Sequence, residues 1–349
     1  MLFVLYMAKE GYSSITVPDE FSERIDRFNS NQGNLFPSKQ KALQRAWVDF
    51  ENKYSRDGEK TVEIDGKIIG PGHPIYVIAE VGINHNGDID ICKKLIDMAV
   101  DSGCDAVKFQ KRTVDIIYTK EELAKSRDSP FGNTNGDLKR GLEFGDKEYR
   151  QIDNYCKEKN ITWFASPWDI PSVDFLEKFD VSCYKIASAS LTDKGLLERI
   201  KATNKPIILS TGMSDAEQVR KAVDILGEDN LVLLSCVSAY PTLNLADQNL
   251  KVIETLKKSY SCPVGYSGHE PDTFPTLMAM ALGANVIERH ITLGRTMYGS
   301  DQASSLEKKG LEVICNRAKE IPRILGDGKK TVTDSEVPIS AKLRRVDTI

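Results

Sequence analysis

Histidine is scarce in this chain of 349 residues: there are four, His73, His85, His269 and His290, so imidazole chemistry has few candidates. The seven cysteines (Cys92, Cys104, Cys156, Cys183, Cys236, Cys262, Cys315) include no CxxC pair and are odd in number. That argues against a disulfide framework or a cysteine zinc site and points to a reducing cytoplasm. There is no excess of basic charge. A net charge of −4 gives no general attraction to nucleic acid or to an anionic membrane, so any anionic ligand needs a local cluster of Lys, Arg and backbone N–H groups. The opening MLFVLYM lacks a basic flank and a small-residue cleavage site and is far too short to span a bilayer, so neither secretion nor anchoring is expected. What remains, 40% apolar and 28% charged residues, is the composition of an ordinary globular protein.

From about residue 75, short β-branched or apolar runs alternate with longer amphipathic stretches, the pattern of βα units around a parallel sheet. Eight strands are predicted: Tyr76–Val81, Ala106–Gln110, Thr162–Ser166, Cys183–Ser188, Pro206–Thr211, Leu231–Val237, Val264–Ser267 and Val286–Ile291. Segments with helical spacing follow them, such as Ile91–Ser102, Lys147–Lys159 and Ala216–Leu226. Eight units over residues 71–325, close to the ~250 residues usual for the fold, predict an α/β protein built as a (β/α)₈ TIM barrel. A doubly wound sheet fits less well, because the first strand leads into GINHNG rather than GxGxxG. Residues 1–60 read as a separate strand-helix-helix extension resembling a ribbon-helix-helix module. Its strand Tyr12–Val17 has no basic residue, so a docking or dimerising arm is expected rather than a nucleic-acid reader. Residues 326–349 form a tail. The segment Ile116–Asp146 is expected as a long loop covering the site.

In such barrels the reacting groups sit at the C-terminal ends of the strands. Here nearly every strand closes on polar residues: Glu80, Lys108 and Gln110, Ser166, Lys185 and Ser188, Ser210 and Thr211, Ser238 and Tyr240, Ser267 and His269, Glu288 and His290. A single such residue can be a satisfied cap; a full ring points to a ligand. Two lysines inside strands, Lys108 and Lys185, must be paired or neutralised. They are readable as partners of Glu80 or Glu288, as holders of a phosphate and a carboxylate, or as Schiff-base nucleophiles. His269 and His290 close the seventh and eighth strands, whose backbones lie about 4.8 Å apart. They suit a shared divalent cation such as Mn²⁺, Co²⁺ or Zn²⁺, with Mg²⁺ less suited to nitrogen ligands.

The motifs IAEVGINHNG, VKFQ, KRGLEF, WFASPWD, YKIAS, PIILSTGM, CVSAYP, GYSGHE, ERHITL and GSDQASSLE occur in the order and spacing of the sialic acid synthase family, which the chain resembles over about residues 74–330. The resemblance implies condensation of phosphoenolpyruvate with an aldehyde amino sugar of the N-acetylmannosamine type, giving a nine-carbon 2-keto acid. It implies that Lys108, Ser166, Lys185, Ser188, Ser210, Ser238 and Ser267 hold phosphoenolpyruvate, and that Gln110, Tyr240, Glu288 and Asp301 face the sugar. It further implies that His269 and His290 bind the metal, Mn²⁺ foremost. Glu80, Lys108, Lys185 and His290 are the expected catalytic set. A homodimer is expected. So is a departure: family members usually continue into a C-terminal antifreeze-like domain, whereas this chain ends at Ile349. Synthesis of another 3-deoxy-2-keto sugar acid, of the Kdo or DAHP type, and a non-catalytic ligand-binding barrel are the alternatives.

Overall fold

The structure is a computed structural model that describes residues 60–346. The expected N-terminal unit therefore lies outside the described residues, apart from Lys60. The described part opens on a hairpin, β1 (Val62–Ile64) and β2 (Lys67–Ile69), turned by Asp65-Gly66 with φ of 50° and 76°, the left-handed pair a two-residue hairpin turn requires. Val62, Ile64 and Ile69 are buried. Asp65 accepts a hydrogen bond from Thr162 at 2.6 Å, and Lys67 pairs with Asp105 at 2.7 Å. Thr162 opens a barrel strand and Asp105 precedes another, so the hairpin lies over the N-terminal end of the barrel. The barrel reading, begun at residue 71, did not include it.

The chain continues through β3 (Tyr76–Gly82), β4 (Ala106–Lys111), the hairpin strands β5 (Ser126–Ser129) and β6 (Gly132–Thr134), then β7 (Thr162–Pro167), β8 (Tyr184–Ile186), β9 (Ile207–Ser210), β10 (Leu231–Cys236), β11 (Val264–Gly268) and β12 (Val286–His290). β3, β4 and β7–β12 close into one barrel in sequence order, with parallel neighbours throughout. This is the (β/α)₈ architecture, with all eight predicted strands present. Runs such as IILS and VIERH are buried at every position, as a sheet covered on both faces demands. β8, β9, β10 and β12 are shorter than predicted, β8 the most, because Ser188–Ser190 turns into a 3₁₀ helix.

The helices begin where side chains cap them. Asp88 accepts from the N–H groups of Asp90 and Ile91 to start Ile89–Ser102, which Gly103 ends at φ 85°. Asp215 and Gln218 form a capping box at the head of Ala216–Leu226. Residues 116–146 are a correction to the expected loop. They fold into short helices at Lys120–Ala124 and Asn135–Gly141 around the β5–β6 hairpin. Elements this short carry no readable periodicity, and their order comes from contacts distant in sequence, such as Phe131 packed so closely on Gly141 that a Cβ there would meet its ring at 2.2 Å. The described tail carries one exposed helix, Val337–Leu343. Among the described residues no helix is long and apolar enough to cross a membrane.

Candidate active site

Register stacks the polar strand ends into layers. Glu80 lies beside Lys108 on one flank and His290 on the other. Gln110 is level with Ser166, Cys236 with Ser267, and Ser267 with Glu288. Because side chains alternate along a strand, Lys108 with Gln110 and Glu288 with His290 share the inner face, each lysine or glutamate one step deeper than its partner.

Four ionisable groups meet in the deeper layer, all nearly inaccessible: Glu80 0%, Lys108 4%, Lys185 2% and Glu288 4% exposed. Lys108 Nζ is 2.8 Å from Glu80 and 3.4 Å from Glu288, and donates to Ser166 Oγ at 3.3 Å. Lys185 donates to Ser210 Oγ at 2.6 Å and to the Ile186 carbonyl at 3.1 Å, and stands 3.8 Å from Glu288. Ser267 donates to Glu288 at 3.0 Å. The expected pairing of the lysines with Glu80 and Glu288 is thus present, but two cations share it with hydroxyls on several strands.

The burial is expensive and sets the protonation pattern. It pushes the Glu80 carboxyl up to about 7 despite Lys108. Burial would also raise Glu288, but Lys108 and Lys185 outweigh it and hold that carboxyl below the ordinary range. Lys108 is the mirror case: burial would lower it, and Glu288 and Glu80 keep it above its usual value. Lys185, with weaker support, falls to about 8 through burial.

Above this layer stand the imidazoles. The His269 and His290 ring centroids are 5.4 Å apart, and Tyr240 lies 4.1 Å from the first and 5.9 Å from the second. His269 Nδ1 is 2.9 Å from the Val237 carbonyl, which fixes the tautomer that leaves Nε2 with a free lone pair. His290 has a buried Nδ1 without a hydrogen-bond partner, and burial keeps its ring neutral, down to about 3. Burial would lower His269, but Cys236 and the Val237 carbonyl hold it above the ordinary imidazole range, so it would give up its proton on joining the neutral His290 as a nitrogen donor to a borderline divalent cation. No group of three or more His, Cys, Asp or Glu assembles for a metal among the described residues, so water and substrate would complete the shell. Asp301 Oδ2 is 3.9 Å from His290 Nδ1, and Gln110 donates to Glu80 at 3.0 Å. His85, by contrast, stacks on Phe144 at 4.0 Å and accepts from Gly87 N–H, a structural role.

Ser188 and Ser238 converge from the turns after β8 and β10. Ser188 Oγ accepts from Gly212 N–H at 3.1 Å, and a Cβ on Gly212 would lie 2.3 Å from Ser238 Oγ and 2.8 Å from Ser188 Oγ, so only glycine fits.

Sequence reasoning missed three features. Cys236 lies 3.6 Å from Ser188 Oγ and 3.9 Å from both Ser238 Oγ and His269 Nδ1. Burial would raise its thiol, but His269 and then Ser188 and Lys185 draw it down to about 7. Arg112, stacked over Trp168 at 4.5 Å and paired with Glu143 at 2.9 Å, donates to Gln110 and so orients the residue touching Glu80. Arg289, on the outer face between Glu288 and His290, pairs with Glu270 at 2.9 Å, both buried, and ties the ends of β11 and β12.

Comparison with known proteins agrees with this geometry. The chain is 36% identical over 283 residues to the N-acetylneuraminate-9-phosphate synthase of Homo sapiens, covering 80% of this chain and 79% of that one. It is 37% identical over 268 residues to the N,N'-diacetyllegionaminic acid synthase of Campylobacter jejuni, covering 74% and 80%. The crystal structure of the N-acetylneuraminic acid (sialic acid) synthetase of Leptospira borgpetersenii, in complex with citrate, matches with a TM-score of 0.72 and 33% identity over 82% of this chain and 99% of that one. The NeuB family model matches residues 95–330. With the barrel, its charged mouth and relatives named as synthases in agreement, this chain is an enzyme that belongs to the NeuB family.

Proposed function

We propose that this enzyme condenses phosphoenolpyruvate with an aldehyde amino sugar to give a nonulosonic acid and phosphate. The observation that carries the reading is the pairing of two buried lysines with a ring of hydroxyls, a cradle for a small ligand bearing both phosphate and carboxylate. Lys108 with Ser166, and Lys185 with Ser210, neutralise those groups; Ser188, Ser238 and Ser267 supply further hydrogen bonds. Gln110, Tyr240, Glu288 and Asp301 face the sugar. His269 and His290 would hold the divalent cation, Mn²⁺ foremost with Co²⁺, Mg²⁺ or Zn²⁺ as alternatives, which supplies Lewis acidity to the aldehyde oxygen.

The reaction forms a bond between C3 of phosphoenolpyruvate and the aldehyde carbon, whose oxygen gains a proton. Water adds to the resulting cationic C2 and loses a proton, and the C2–O bond to phosphate breaks as the remaining C2 hydroxyl passes its proton to the departing phosphate, leaving the 2-keto acid. Glu80, raised by burial and bonded to Lys108 and Gln110, takes the proton from that water. Lys185 is engaged by Ser210 and Ile186, which favours a charge-holding role over a Schiff base.

The test is phosphate release from phosphoenolpyruvate by metal-loaded protein across a panel of aldehyde sugars, with EDTA as control. Release that needs both sugar and divalent ion, and is lost in His269→Ala and Lys185→Met, is expected, and product mass separates a nine-carbon acid from a Kdo- or DAHP-type product. No release with any sugar or metal would leave a ligand-binding barrel instead.

A further inference from the structure

The ring of strands has one closure that the chain does not span. Each barrel strand joins its neighbour through the segment that follows it in sequence, except at β12 and β3, the last and the first, which meet by pairing alone. The helix layer has the same seam, between Ile89–Ser102, after β3, and Lys308–Leu325, after β12. Lys308 crosses it at the surface to pair with Asp101 at 2.9 Å, and a Cβ on Gly103 would lie 3.5 Å from Lys319 Nζ. Between these two along the helix, Cys315 Sγ lies 3.5 Å from Cys104 Sγ, 211 residues away in the chain.

All seven cysteines are free, and among the described residues this is the one pair of thiols that hydrogen-bond each other. Cys315 is buried and Cys104 partly exposed, so one sulfur is open to a small solute and the other stands directly behind it. That arrangement suits oxidation in two steps. Cys104 also precedes β4, which puts the pair at the N-terminal end of the barrel, away from the mouth.

We propose that Cys104 and Cys315 are the site of an oxidative cross-link, made with a peroxide, that braces the seam. The Cys104 thiolate attacks one peroxide oxygen and the O–O bond breaks, giving a sulfenic acid while the departing hydroxide takes up the thiol proton as water. The Cys315 sulfur then attacks Cys104 Sγ, and the S–O bond breaks as the hydroxyl leaves with the Cys315 proton as a second water. Two thiols lose two electrons, and one hydrogen peroxide becomes two waters. Sulfurs already in contact have about 1.5 Å left to close. The bond to Cys315 and burial hold the Cys104 thiol above its ordinary range, so the link forms slowly, as a durable brace rather than a rapid sensor. Joining the two ends of the ring restricts the unfolded chain across the whole barrel.

The experiment treats the full chain with hydrogen peroxide, maps its peptides by mass spectrometry without reduction, and follows thermal unfolding at one scan rate. A peptide joining Cys104 to Cys315, lighter than its two parts by two hydrogens and split by dithiothreitol, is expected. The melting temperature should rise with it by about 5 °C or more, fall back after dithiothreitol, and not rise in Cys104→Ser. Should that variant fail to fold, Cys315→Ala replaces it, and the native peptide map decides by itself whether the bond forms. Both thiols still free after prolonged treatment, Cys104 carried on to sulfinic acid with Cys315 unpaired, or a cross-linked protein that melts no higher than the reduced one would overturn the proposal.

Discussion

Lys185 shows what a single buried cation costs and what it offers. Its ammonium sits 2% exposed with a pKa drawn by burial down to about 8, below that of an unfolded lysine. The folded protein therefore binds fewer protons than the unfolded chain between about 8 and the ordinary lysine value. Stability from this group rises with pH across that window, and the full penalty of burying the charge is felt below it. Affinity for an anion runs the other way, because only the protonated form attracts it. Apparent KM for phosphoenolpyruvate is expected to rise as pH climbs through about 8, and Lys185→Met to flatten that rise while lowering kcat/KM on the order of a hundredfold or more. A pH profile that is the same in both proteins would remove Lys185 from that role. The charged members of the mouth were legible in the sequence because Glu80, Lys108, Lys185 and Glu288 interrupt apolar strands. Cys236, Arg112 and Glu143 were not, because a thiol closing a strand looks apolar and because Arg112 meets Glu143 across 31 residues that carry no period.

At the scale of elements, the ends of β11 and β12 carry both imidazoles, and Arg289 with Glu270 holds them together from behind. Arg289 also donates to the Asp272 carbonyl at 3.1 Å and to Thr276 Oγ1 at 2.7 Å, while Tyr266 donates to Glu270 at 2.9 Å. Replacing Arg289 by Met leaves Glu270 charged and buried, so a loss of about 3–5 kcal/mol in unfolding free energy is expected from urea titration. The double replacement Arg289→Met, Glu270→Leu should recover part of it, since the uncompensated charge is gone; no recovery would mean that packing, not charge, holds these strands. The eight strands and the helices that follow them were readable because burial on both faces imposes continuous apolar runs and burial on one face imposes helical spacing. The β1–β2 hairpin and the β5–β6 excursion were not, since three- and four-residue strands are specified by what they pack against.

For the molecule as a whole, the polar strand ends gather at one end of the barrel and, among the described residues, the other end is covered. The hairpin seated under the strands, with Val62, Ile64 and Ile69 buried and Asp65 fastened to Thr162, stoppers the lower end, and the two lysines lie one layer beneath His290 and Gln110. The chamber is a blind alley, and traffic in a blind alley is last in, first out. On the proposed reaction, phosphoenolpyruvate would be seated before the sugar closes the passage above it, and the molecule in the upper level would leave before the lower one is refilled. Initial-rate and product-inhibition patterns should accordingly show compulsory order with phosphoenolpyruvate first, and a random-order pattern would mean that the two substrates pass each other in a channel this geometry makes single file.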